Sequence, residues 1–87
     1  MGRSVSVTSP TWADETGYDV HSRQLLSDVD HAVVVFQPHD GHGVPTGPAE
    51  THLVTRVVPA PITDAAVLER LAAALTAAAK IVRETSA

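Results

Sequence analysis

The clearest hydrophobic pattern in the chain lies near its C-terminus, over residues 63–84. Leucine, valine and alanine recur there at intervals of three and four, which places them along one face of a helix. Pro61 precedes the segment, and Thr63 or Asp64 can cap its first turn. Arg83 carries positive charge near the other end, where it complements the helix dipole. The pattern therefore predicts a helix over residues 63–84.

Alternating and continuous apolar positions in the first half of the chain predict strands. Residues 3–8 alternate between valine and hydroxyl side chains, which is typical of a half-buried strand. Residues 16–29 fit either a helix with one apolar face or a strand that forms a hairpin with the next strand, and we favour the strand. Residues 31–37 contain an unbroken apolar run, AVVVF, which is typical of a central strand covered on both faces.

A loop and a last strand connect this run to the helix. Residues 38–50 are rich in proline and glycine, which favours a loop, and residues 51–58 alternate as a strand does. The elements together predict an α+β fold in a single domain over residues 1–87. Its core would be a small antiparallel sheet of three or four strands, with the long C-terminal helix packed across one face.

The amount of apolar surface in these elements favours self-association. One helix covers only one face of a sheet, so the second face of the AVVVF strand is expected to meet another copy or another protein. A chain of 87 residues also encloses only a small core, so burying apolar surface against a second copy would add to its stability. The helix could dock on its own sheet or on the helix of a second copy, and we favour its own sheet. We expect a homodimer, with a larger protein as a further partner. The predicted interface residues are Val33, Val35, Leu68, Leu71, Leu75, Ala78 and Val82.

Charge and composition exclude several classes of partner. The net charge is −4 and the six basic residues are scattered, which disfavours nucleic-acid binding. There is no cysteine, so disulfides and thiolate metal sites are excluded. No apolar run approaches the ~20 residues of a membrane span, and the first ten residues do not have the pattern of a signal peptide. We therefore expect a cytoplasmic protein without a membrane partner.

Histidines around the loop provide the one chemical signal. His39 and His42 stand three residues apart with Asp40 between them, and His52 lies at the base of the following strand. Three imidazoles with an open position are typical of a zinc site and would also suit nickel, and Asp40 could orient one of the rings. The alternative, which we favour, is a solvated loop that contains histidines without binding a metal. A third interpretation is a pH-sensitive histidine cluster.

No motif typical of nucleophilic catalysis, of phosphate binding or of a metalloprotease accompanies these histidines. The sequence therefore favours a non-catalytic interaction or assembly component that acts as a homo-oligomer. The alternative is a metal-binding protein or a metal-dependent site built on the His39–His42 loop.

Overall fold

The computed structural model describes residues 8–55 and 61–86. This part of the chain contains four strands and one helix: β1 (Glu15–Thr16), β2 (Val20–Ser27), β3 (His31–Pro38), β4 (Glu50–Thr55) and α1 (Ala65–Thr85). The strands form one antiparallel sheet in the order β1-β2-β3-β4, and α1 packs against one of its faces. The predicted α+β fold is confirmed. The strand predicted over residues 3–8 lies outside the described residues except for Thr8, as do positions 56–58 of the predicted last strand.

The ambiguous segment at residues 16–29 contains β2, and it forms the favoured hairpin with β3. Its register runs from Val20 opposite Pro38 to Ser27 opposite Ala32, with a bulge between Gln24 and Leu26. The bulge lets two consecutive leucines, at positions 25 and 26, pack against the core from the same strand. A regular strand would have sent them to opposite faces.

Alternate residues of β3 divide its two faces between the core and the open side. Val33 and Val35 are fully buried beneath α1, whereas Val34 and Phe36 on the other face are half-buried. The helix contributes Ala74, Ala78 and Ile81 to the same core, and Trp12 is partly buried against it. The cluster of buried residues that pack together therefore lies on the helix side of the sheet.

Polar contacts at both ends fix the position of α1. Asp64, one of the two caps that the sequence allowed, accepts a hydrogen bond from the Ala66 backbone N–H at 2.9 Å. Arg70 is paired with Asp28 in the β2–β3 turn at 3.2 Å. The N–H of Val29, and then Arg70, hold the pKa of Asp28 below its usual value. At the other end, the Thr85 hydroxyl accepts a hydrogen bond from the Ala49 N–H, next to the start of β4.

Candidate functional site

Strand β4 forms an exposed edge of the sheet. All six of its residues are solvent-exposed, and within the described residues it is the terminal strand of the sheet. Leu53 pairs with Val33 and so lies on the face that carries the helix, yet it is 54% exposed whereas Val33 is 0% exposed. Since α1 lies mainly over β2 and β3, the helix does not cover Leu53.

One flank of α1 adds apolar side chains beside this strand. Ala73 and Ala77 line a shallow depression together with the leucines of β2, which identifies the flank that faces β2. At 100° per residue, Leu68 and Leu75 lie on the opposite flank, towards β4. They are 48% and 41% exposed. We call the surface formed by Leu53, Leu68 and Leu75 the β4 flank.

Small apolar side chains fill much of the core, whereas several larger ones lie at the surface. Seven apolar residues of the described chain are buried, and four of them are alanines. The leucines of the β4 flank remain outside, although a buried leucine contributes more than a buried alanine. The chain alone therefore leaves its larger apolar groups partly hydrated. The buried alanines are Ala32, Ala49, Ala74 and Ala78.

The predicted interface residues separate into three groups in the structure. Val33, Val35 and Ala78 are enclosed within the chain itself. The two at the margin of the core, Leu71 and Val82, are half-buried and pack against it. Leu68 and Leu75 alone in the set are exposed. The exposed members of the predicted interface therefore both lie on the β4 flank.

The sheet face opposite the helix is narrower and more polar than the AVVVF pattern suggests. Val34 and Phe36 are its apolar centre, and the Phe36 ring meets the His52 ring edge-on with centroids 5.2 Å apart. Gln24 and His52 lie opposite Val34 on the two neighbouring strands. Polar neighbours thus border the apolar stripe on both sides.

In the histidine loop, His39 is a buried structural residue. Its Nδ1 accepts hydrogen bonds from the backbone N–H groups of Gly41 at 3.0 Å and Gly43 at 3.3 Å. Its Nε2 therefore carries the proton and donates to the Gly17 carbonyl at 3.0 Å. Both glycines have positive φ angles, 96° and 92°, which allows the loop to curl around the ring. Both ring nitrogens are thus used to hold the loop.

His21, on β2, is the partner that sequence reasoning missed. It is completely buried, and its ring lies against that of His39 with centroids 4.4 Å apart. Its Nε2 donates to the Gly43 carbonyl at 3.0 Å, and its Nδ1 shares a hydrogen bond with the Thr16 hydroxyl at 2.9 Å. A hydroxyl beside an imidazole is also used in nucleophilic catalysis, but here the ring is fully enclosed. The two histidine rings together hold the loop in place against the sheet.

Asp40 stabilises the loop through backbone hydrogen bonds, and no contact with an imidazole is needed for that role. Its carboxylate accepts from the N–H of His42 at 2.8 Å and of Val44 at 3.2 Å. The His42 N–H is the largest of the contributions that lower the pKa of Asp40. The carboxylate therefore acts as the cap of a tight turn.

The predicted metal ligands occupy different surroundings. His39 is buried, whereas His42 and His52 are exposed, and His52 lies 3.7 Å from Glu50 on its own strand. Among residues 8–55 and 61–86, no three histidine or acidic side chains are grouped so that they could hold a metal ion. The metal site stays a prediction without support from this geometry.

The helix α1, in the described part of the chain, does not combine the length and apolarity that a bilayer crossing requires. Comparisons with protein-family models, with curated proteins and with solved structures found no match. Function is therefore inferred from the geometry of the chain itself.

Proposed function

We propose that this chain is a non-catalytic protein–protein interaction or assembly component that acts as a homo-oligomer, most simply a homodimer. The subunits meet at the β4 flank. One observation carries the proposal: alanines make up much of the buried core, while Leu53, Leu68 and Leu75 stay about half exposed.

The free energy available from covering this flank is substantial for so small a chain. Complete burial of a leucine contributes roughly 1.5–3 kcal/mol, so covering the exposed halves of all three leucines would give at most about 2–4 kcal/mol per chain. Small domains are stable by only about 5–15 kcal/mol in total. A partner on the β4 flank would thus contribute a large share of the stability of the folded chain.

The buried imidazole pair supports the non-catalytic part of the proposal. His21 and His39 are both buried, and each ring is engaged through both nitrogens with loop or strand atoms. A general base must be able to reach a proton on its substrate. These rings instead connect the loop to β2.

Charged substitutions on the two sides of the molecule test the proposal. Leu53→Glu/Leu75→Glu adds two carboxylates to the β4 flank, and Ser27→Glu/Ala73→Glu adds the same charge at exposed positions on the β2 side. We expect the control to keep the oligomeric mass of the natural chain and the flank variant to sediment as a folded monomer, with unchanged far-ultraviolet circular dichroism. Equal masses for both variants would contradict the proposal. It would also be contradicted if only a larger, unrelated protein bound the β4 flank.

A further inference from the structure

We infer that the second copy joins through β4 itself, which pairs antiparallel with β4 of the other chain across a two-fold axis. Two four-stranded sheets then become one sheet of eight strands. This inference rests on the proposed function, since it specifies how a second copy covers the β4 flank. Three observations support it: no strand lies on the outer side of β4 within residues 8–55 and 61–86, the opposite edge is protected, and the order of side chains along β4 suits pairing.

Within its described residues, β4 has no bulge, proline or lysine that would protect an edge strand from pairing. Its register with β3 runs from His31 opposite Thr55 to Phe36 opposite Glu50 without a bulge. The strand contains no proline and no lysine, and Glu50 at its first position is its one acidic residue. Monomeric proteins usually block such an edge with bulges, prolines or inward-pointing charges. An unblocked edge is a template for another strand.

The opposite edge of the sheet is protected. The terminal strand there is β1, which is only two residues long and pairs with β2. β2 itself has a bulge between Gln24 and Leu26, and the segment before β1 covers part of its outer side. The Asp14 N–H donates to the Ser22 carbonyl at 2.9 Å, and Arg23 donates to the carbonyl of Trp12 at 3.1 Å. Strand addition is therefore directed to β4.

The order of side chains along β4 selects the register. A two-fold axis perpendicular to the sheet keeps both helices on the same face and pairs residues that share a face. With Leu53 on the axis, it meets Leu53 of the second copy, Thr51 meets Thr55, and His52 meets Val54. Glu50 then lies beyond the paired residues, so no like charges are opposed. An axis at His52 would instead place imidazole against imidazole and Leu53 against Thr51.

The same geometry separates the two helices. Neighbouring strands are about 4.8 Å apart, and α1 lies mainly over β2 and β3. The two helix axes would therefore be roughly 15–20 Å apart, whereas helices in contact are about 8–10 Å apart. Strand pairing and the Leu53 pair therefore carry most of the association. Leu68 and Leu75 line the sides of a groove above that pair, where the second copy covers them only in part.

Disulfide trapping tests this arrangement without background, because the chain contains no cysteine. Residues that face each other across antiparallel strands have Cα atoms about 4.5–5.5 Å apart, within the range that a disulfide spans. We expect Leu53→Cys to form a covalent dimer under mild oxidation at least about tenfold faster than Ser27→Cys on the opposite edge, because pairing raises the effective concentration. Leu68→Cys is expected to cross-link no faster than Ser27→Cys.

The outcomes separate the two proposals. Rapid cross-linking of Leu53→Cys alone supports β4 pairing. Rapid cross-linking of Leu68→Cys, with Leu53→Cys at the control rate, would show a helix-to-helix dimer; it would overturn β4 pairing and leave self-association standing. A natural chain that sediments as a monomer, with all three variants at one slow rate, would overturn both.

Discussion

Ala74 and Leu75 are neighbours on α1, yet the alanine is 6% exposed and the leucine is 41% exposed. The helix is rotated so that its small side chain faces the sheet and its larger one projects past β3 towards β4. A small contact residue lets the helix lie close to the sheet. The same rotation explains both the thin core and the exposed leucines of the β4 flank.

Exchanging the sizes of these two side chains should have opposite effects on folding and association. Ala74→Leu overpacks the contact between α1 and β3, and we expect it to lower the free energy of unfolding by about 1–3 kcal/mol. Leu75→Ala should lower the free energy of unfolding of the isolated chain by less than this amount, but it should weaken self-association. Urea denaturation at low protein concentration gives the first quantity and sedimentation gives the second. A larger folding loss for Leu75→Ala than for Ala74→Leu would contradict the assignment of faces.

His39 should be the most sensitive histidine of the loop. His39→Ala removes the acceptor of the Gly41 and Gly43 N–H groups and the donor to the Gly17 carbonyl. Because buried polar groups are left unpaired, we expect the free energy of unfolding to fall by at least about 2 kcal/mol. Urea denaturation measures it.

His42→Ala is the matched control for this experiment, since His42 is exposed in the same loop. Its effect should stay within about 0.5 kcal/mol, as is usual for surface substitutions. If the two alanine variants were equally stable, the bracing role of the imidazole pair would be wrong.

The two glycines of the loop should differ in their tolerance of a side chain. Both have positive φ, but an added Cβ meets nothing within 4 Å at Gly41, whereas at Gly43 it would collide with the backbone of Thr8. We expect Gly41→Ala to lower the free energy of unfolding by about 1–2 kcal/mol through backbone strain alone. Gly43→Ala should lower it by clearly more, because the collision adds to the strain. Thermal denaturation of the pair checks the order. Equal melting temperatures would mean that Thr8 does not lie against Gly43.

Acid should loosen the turn at Asp40. Hydrogen bonds from the His42 and Val44 N–H groups hold the pKa of this carboxylate below its usual 3.8. A lowered folded-state pKa stabilises the fold above the unfolded-state pKa, and this contribution is lost as the pH falls through the folded value. The amide resonances of His42 and Val44 should therefore titrate together with a midpoint below 3.8.

Asp40→Asn provides the comparison, because an amide oxygen still accepts both hydrogen bonds but does not titrate in this range. The variant should keep the turn and lose the acid-dependent shift. A midpoint at or above 3.8 for the natural chain would refute the role of these hydrogen bonds.

Much of the architecture follows from the local sequence pattern. The predicted helix at residues 63–84 is observed at Ala65–Thr85, because its periodicity and the capping side chain of Asp64 are local signals. The strand at residues 20–27 is harder to distinguish from a helix in the sequence. Its bulge between Gln24 and Leu26 breaks the alternation of apolar and polar residues that identifies a strand.

The histidine pair could not be predicted because it depends on register. His21 meets His39 only because Val20 pairs with Pro38 in the β2–β3 hairpin, and the bulge makes this register invisible in the spacing of side chains. Similarly, the AVVVF pattern indicates apolar faces, but the sequence does not show how polar the neighbours of Val34 are. The exposure of Leu53 depends on where α1 lies across the sheet, which is set by tertiary packing.

Self-association is the central claim, and sedimentation equilibrium of the natural chain over a range of concentrations tests it most directly. We expect a reversible rise from the mass of one chain to twice that mass as the concentration increases, because mass action favours the covered β4 flank. A single-chain mass that persists up to millimolar concentration would contradict it.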